Sequence, residues 1–113
     1  MDQAVILSTA RTPIGKAYRG SLNDTDAPTL ASYAIKASIK NAGIDPSEVE
    51  DVIIGAAVQQ GTQGYNIGRL SATASGLPVH VPGMSVDRQC ASGLMAIAIG
   101  AKQIACNEMD IVI

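Results

Sequence analysis

Hydrophobic and polar positions alternate in blocks along this chain, and the period of the pattern changes from block to block. "AVILS" (4–8) is a short apolar run that predicts a first strand, followed by the turn-rich "TPIGKAYRGSLNDTDAP". "TLASYAIKASIKNAG" has helical spacing, with Leu30, Ala34, Ala37 and Ile35 on one side and Lys36 and Lys40 on another. Asp26 or Thr25 is placed to cap its start, and Gly43 to end it. "DPSEVE" predicts a single turn, with Asp45 as cap, Pro46 at the first helical position and Glu48 three residues after the cap.

"VIIGAAV" (52–58) predicts a second, buried strand, and "NIGRLSATASG" (66–76) a short helix capped by Asn66 and stopped by Gly76. "GMSVD" (83–87) predicts a third strand, a helix from Cys90 to about Cys106 follows, and "MDIVI" closes as a fourth strand. Strands alternating with helices imply an α/β fold, a parallel or mixed sheet covered on both faces. In such sheets ligands sit beyond the carboxyl ends of the strands, where Cys90 falls. The chain stops at Ile113 on the last apolar residue of a strand, as a chain cut within a sheet does.

Composition narrows the picture. Of 113 residues, 47% are hydrophobic and 16% charged, so the chain is globular; it has no Trp or Phe, so the core is built from small aliphatic side chains. A formal charge of −2, with Arg and Lys scattered singly, gives no reason to expect a nucleic acid or an anionic membrane as partner. Two cysteines are not a secreted disulfide framework. The apolar run near the N-terminus is too short for a signal peptide core or a membrane span. A cytoplasmic protein with reduced thiols is the expectation.

From Cys90 to Ala101 the only polar side chain is Ser92, and a helix apolar on all sides is a buried helix. Gly93, Ala96 and Gly100 fall near one stripe. That stripe fits close contact with another backbone, in a second domain or subunit, and equally fits ordinary helix-on-sheet packing. For Cys90 the setting cuts two ways. Apolar burial raises a thiol's pKa, whereas free N–H groups at a helix start favour the thiolate and can receive an oxyanion. A reactive thiol and an inert structural cysteine both fit the position.

Sixteen residues of helix at about 1.5 Å each separate Cys106 from Cys90 by roughly 24 Å, which excludes a disulfide or a shared metal between them. Cys106 is expected to pack at the helix end. The single histidine, His80, precedes the third strand and should lie away from Cys90, facing solvent. Arg88 cannot act as a base at neutral pH, and Asp87 is a candidate helix cap. The chain therefore offers a nucleophile without its base.

"VDRQCASGLMAIAIGAKQI" resembles the nucleophile signature of the thiolases. "ARTPIGKAYRGSL", "DPSEVEDVIIGAAVQQG" and "NIGRLSATASGLPVHVPGMSV" agree with that family in order and spacing, so the resemblance covers essentially the whole chain. The core around Cys90, with Arg88 and Gln89 before it, is closer to the degradative 3-ketoacyl-CoA branch than to the acetoacetyl-CoA branch; Asp87 stands where Asn is commoner. The resemblance implies a thiolase-like layered fold, a mixed, mostly parallel sheet with a buried helix. Residues 1–113 would be the first part of the family's N-terminal domain, without its loop domain and C-terminal domain. It implies that Cys90 is the acyl-accepting nucleophile. The family's activating histidine, second cysteine and water-positioning residue lie in motifs not found here, and no residue of this chain takes those roles. No metal or redox cofactor is implied, since CoA and acyl-CoA are substrates. The implied partners are the remainder of the fold or a companion chain, in a homodimer or homotetramer. A ketosynthase-type condensing enzyme shares the layered fold but not the run of motifs, and a non-catalytic thiolase-like chain or one piece of a split enzyme is the other reading.

Overall fold

The computed structural model describes residues 3–113. Its first helix, α1, spans Ala27–Ala42; Asp26 caps it by accepting a 2.7 Å hydrogen bond from the Thr29 N–H, and Gly43 ends it in the left-handed conformation at φ 70°. The capping bond holds the Asp26 carboxyl below its ordinary pKa. A 3₁₀ turn, Pro46–Glu48, carries the full capping box: Asp45 accepts from Ser47 while Glu48 accepts from the Asp45 N–H. Strand β1 is Ile53–Gly55, helix α2 is Ile67–Ala74, strand β2 is Met84–Val86 and helix α3 is Ser92–Ala105.

β1 and β2 pair in parallel, with Ile53 opposite Met84 and Gly55 opposite Val86. On the other side of β1, residues 111–113 join through the Glu50 N–H to the Ile111 carbonyl, the Ile113 N–H to Asp51 and the Ile53 N–H to Ile113. That pairing is also parallel. Ile35 and Ile39 of α1, Ala72 of α2, and Val49, Val52, Leu77 and Val81 form the core against one sheet face. Val49, Val52 and Val81 are fully enclosed, each contributing about 2 kcal/mol by leaving water. α3 covers the other face, where Gly100 sits against Val112. The α/β sheet with helices on both faces is thus present in outline.

α2 is fastened to β2. The Asn66 amide donates to the Gly83 carbonyl (2.8 Å) and accepts from the Arg69 N–H (3.2 Å) and the Ser85 hydroxyl (3.2 Å). A Cβ on Gly68 would stand well inside 3.0 Å of the Met84 backbone, so only glycine lets helix and strand approach this closely. The Arg69 guanidinium donates to the carbonyls of Val81 and Val79, drawing in the segment that feeds β2.

Three expectations are corrected. Residues 4–8 form no strand; they run unpaired by backbone bonds among the described residues, with Ile6 76% exposed, and are tied by the Ser8 hydroxyl to the Ser38 carbonyl (2.7 Å). A strand is a pairwise object, and an apolar run does not name its partner. The buried stripe of α1 is Ser32, Ile35 and Ile39, not Leu30, Ala34 and Ala37, which are half-buried. Alanines mark a face weakly, and Ser32 hides by bonding back to the Thr29 carbonyl. Finally, α3 begins at Ser92 and not at Cys90, and it is not buried all round: Leu94 is 72% exposed.

Candidate active site

The segment Asp87–Ala91 turns the chain sharply from the carboxyl end of β2 into α3. Asp87 caps this turn and not the helix, its carboxylate accepting from the Gln89 N–H at 2.9 Å. Gln89 is held at φ 49°, a left-handed conformation uncommon for a residue with a side chain. The Ala91 N–H bonds to Arg88 O and the Ser92 N–H to Gln89 O, both at 3.0 Å. These turn bonds leave out the N–H of Cys90.

Ser92 completes the turn. Its hydroxyl donates to the Gln89 carbonyl (2.6 Å) and accepts from the Arg88 N–H (2.9 Å), and the residue is 4% exposed. Beneath it lies Gly55, the last residue of β1, where a Cβ would stand well inside 3.0 Å of the Ser92 carbonyl and the Gly93 nitrogen. Gly55 is therefore the position at which the end of the sheet accepts the start of α3. Gly55, the left-handed backbone of Gln89 and the contacts of Ser92 were not legible in the sequence. The one legible signal was Ser92 itself, the single polar side chain in a twelve-residue apolar stretch.

Cys90 is exposed on this turn, two residues before the helix. A strand, a tight turn and a helix in succession form an arrangement that lifts a nucleophile above the edge of a sheet. Cys106 is also a free, exposed thiol, at the end of α3, and does not pack there as expected. His80 is exposed in the turn before β2, so the strand stands between it and Cys90. Three strand residues at about 3.3 Å each already exceed hydrogen-bond reach. The nucleophile and the only imidazole are thus not brought together.

The stripe on α3 lies along one trough. Gly100 packs on the Val112 side chain, which is ordinary helix-on-sheet contact, while a Cβ on Gly93 would meet nothing within 4 Å. Gly93, Ala96, Ile97 and Gly100 all line an apolar trough of about 700 Å³, together with residues 4–9 and 110–113. A second cleft of about 490 Å³ lies at the start of α1, lined by Arg11, Asp24, Leu30 and Tyr33 among others. Cys90 lines neither. Among the described residues no cluster of three His, Cys, Asp or Glu side chains could hold a metal, and no helix is long and apolar enough to cross a membrane.

Comparison with known proteins places these features. The family model described as "Thiolase, N-terminal domain" matches residues 4–113. A 3-ketoacyl-CoA thiolase of Bacillus subtilis is 41% identical over 110 residues, covering 97% of this chain and 28% of that protein. An acetyl-CoA acetyltransferase of Cupriavidus necator is 40% identical over 113 residues, covering all of this chain and 28% of that protein. Among solved structures, Acat5 thiolase from Ascaris suum in complex with coenzyme A superposes with a TM-score of 0.91 at 32% identity, over 98% of this chain and 28% of that one. The chain thus spans about 28% of the length of these relatives.

Proposed function

The chain belongs to the thiolase family, as N-terminal domain sequence with the first half of the thiolase-like α/β fold, and on that premise we propose that Cys90 is the nucleophile of an acyl transfer between coenzyme A thioesters. Its thiolate attacks the keto carbon of a 3-ketoacyl-CoA. The bond between the α-carbon and the keto carbon breaks, acetyl-CoA leaves as its enolate takes a proton, and the acyl group remains on sulfur. A second CoA then accepts the acyl group and returns the thiolate. In reverse, acetyl-CoA acylates Cys90 and the enolate of another acetyl-CoA attacks the thioester. Relatives named for each direction match about equally, at 41% and 40% identity, so the degradative branch is not preferred on that ground.

Sulfur suits both directions, because Cys is intrinsically nucleophilic and a thioester is a good acyl donor. The Cys90 N–H supplies a donor to the tetrahedral oxyanion. No metal or redox group is needed for these steps. The groups that take the thiol proton and protonate the enolate are assigned to no residue of this chain, His80 being on the wrong side of β2. The 113 residues alone are therefore expected not to turn over. A companion polypeptide or a longer chain, in a homo-oligomer, completes the site. The second reading is a non-catalytic thiolase-like chain or one piece of a split enzyme, favoured by the exposed position of the single histidine, His80, before β2.

The observation that carries the proposal is the exposure of Cys90 on a hydrogen-bonded turn at the carboxyl end of β2. Because Cys106 is also exposed, it serves as an internal control for access. Limiting iodoacetamide followed by mass spectrometry is expected to label Cys90 at least about 10-fold faster in the assembled protein, and acetyl-CoA to acylate Cys90 alone. Equal labelling of the two thiols, with no acyl adduct, would refute the role.

A further inference from the structure

We propose that Ser92 is a positioning residue that aims the Cys90 N–H at the developing oxyanion. This deepens the acyl-transfer reading above and rests on it.

The Ser92 hydroxyl donates to the Gln89 carbonyl at 2.6 Å and accepts from the Arg88 N–H at 2.9 Å, so its donor and one of its lone pairs engage the two residues before the thiol. The Gln89 carbonyl accepts a second bond from the Ser92 N–H at 3.0 Å, so both its lone pairs are engaged. That carbonyl and the Cys90 N–H belong to one peptide unit, which is planar and trans. Fixing the direction of the C=O therefore fixes the N–H, which points the opposite way. The unit adjoins Gln89, held at φ 49°, and relaxation of Gln89 toward the common right-handed region would swing the plane and turn the N–H aside. Ser92 cannot drift to follow it, because its backbone is seated on Gly55 and the residue is 4% exposed. A hydroxyl buried at this point thus acts on the reaction through the peptide it holds, without touching substrate.

Two reactions of the same sulfur separate this role from a merely structural one. Acylation by a thioester passes through a tetrahedral oxyanion, whereas displacement of iodide from iodoacetamide forms none. In the assembled protein, Ser92→Ala is expected to slow acetylation of Cys90 by acetyl-CoA about 10- to 100-fold, a part of what loss of an oxyanion donor costs. Alkylation by iodoacetamide should stay within about threefold of the parent, with an unchanged pH profile. Ser92→Thr, which keeps the hydroxyl, should restore acetylation to within about threefold. Acetylation of the Ala variant within threefold of the parent, or an equal fall in both reactions, would overturn the proposal. If the Thr variant fails to fold, as its melting temperature would show, the ratio of the two rates in the Ala variant decides alone. Failure of the parent protein to be acetylated at Cys90 would instead strike down the acyl-transfer reading and the role of Ser92 with it.

Discussion

Gly55→Ala tests the contact on which the site turn rests. The added Cβ would lie well inside 3.0 Å of three backbone atoms of Ser92 and Gly93, and none of them can rotate away as a side chain does. Carbon atoms pack best at about 3.5–4.0 Å, so the start of α3 must lift from the end of β1 by about 1 Å. Overpacking of this kind costs about 1–3 kcal/mol where side chains can adjust, and a backbone obstacle places Gly55 at the upper end, about 3 kcal/mol. At about 4 °C per kcal/mol for a domain of this size, the melting temperature should fall by roughly 12 °C. Displacement of the turn by about 1 Å should also slow acylation of Cys90 by about 100-fold. Gly93→Ala, one turn-residue away, is the control: its Cβ meets nothing within 4 Å, and alanine is the better helix former by about 1 kcal/mol. Circular dichroism melts of the two variants, side by side, make the comparison. A Gly55→Ala protein melting within about 2 °C of the parent would refute the close seating of α3 on β1.

Asn66→Ala removes an N-cap and two bonds to β2 and leaves alanine in a left-handed conformation (φ 61°); a loss of about 2–3 kcal/mol is expected in urea denaturation. Little change in the midpoint would mean that α2 is not fastened to β2 through this amide. Glu50 accepts from the backbone N–H groups of Asp110 and Ile111, bonds that hold its carboxyl below its ordinary pKa. A carboxyl with a depressed folded pKa contributes stability above its unfolded value, near 4.3, and loses it as pH falls through the folded one. Glu50→Gln should therefore destabilise at neutral pH, and its deficit against the parent should shrink below about pH 4. A deficit that is constant from neutral to acid pH would remove the charge from the explanation.

Local elements were legible where the signal is local. The Asp26 cap and Gly43 stop of α1, the Asp45–Glu48 capping box, and the Asn66 cap of α2 each depend on bonds spanning about three residues, which a sequence displays directly. Cys90 was legible as a position beyond a parallel strand, and its distance from His80 followed from chain order. The seat of the site was not. Gly55 and Ser92 meet across 37 residues of sequence, and nothing in "VIIGAAV" says which glycine a helix will rest upon. The start of α3 was misplaced for a related reason, since the left-handed Gln89 looks like any polar residue before a helix.

Two of the misreadings adjoin, and that is informative. The run at 4–8 was expected as a strand, and α3 as a helix enclosed on every side. In the structure Val5, Ile6 and Leu7 are exposed, as are Leu94 and Ile97. Residues 4–9 and the Gly93–Ile97 flank of α3 wall the same apolar trough. A hydrophobic pattern states how much burial a segment needs, and it is silent about which polypeptide supplies it. Where the need is met from within, as at Val52 and Ile53 of the run expected to be a buried strand, reading and structure coincide. Where they part at 4–8 and on α3, the uncovered apolar side chains include Ile97, on the helix that Cys90 precedes, and Val5, Ile6 and Leu7 across the trough from it.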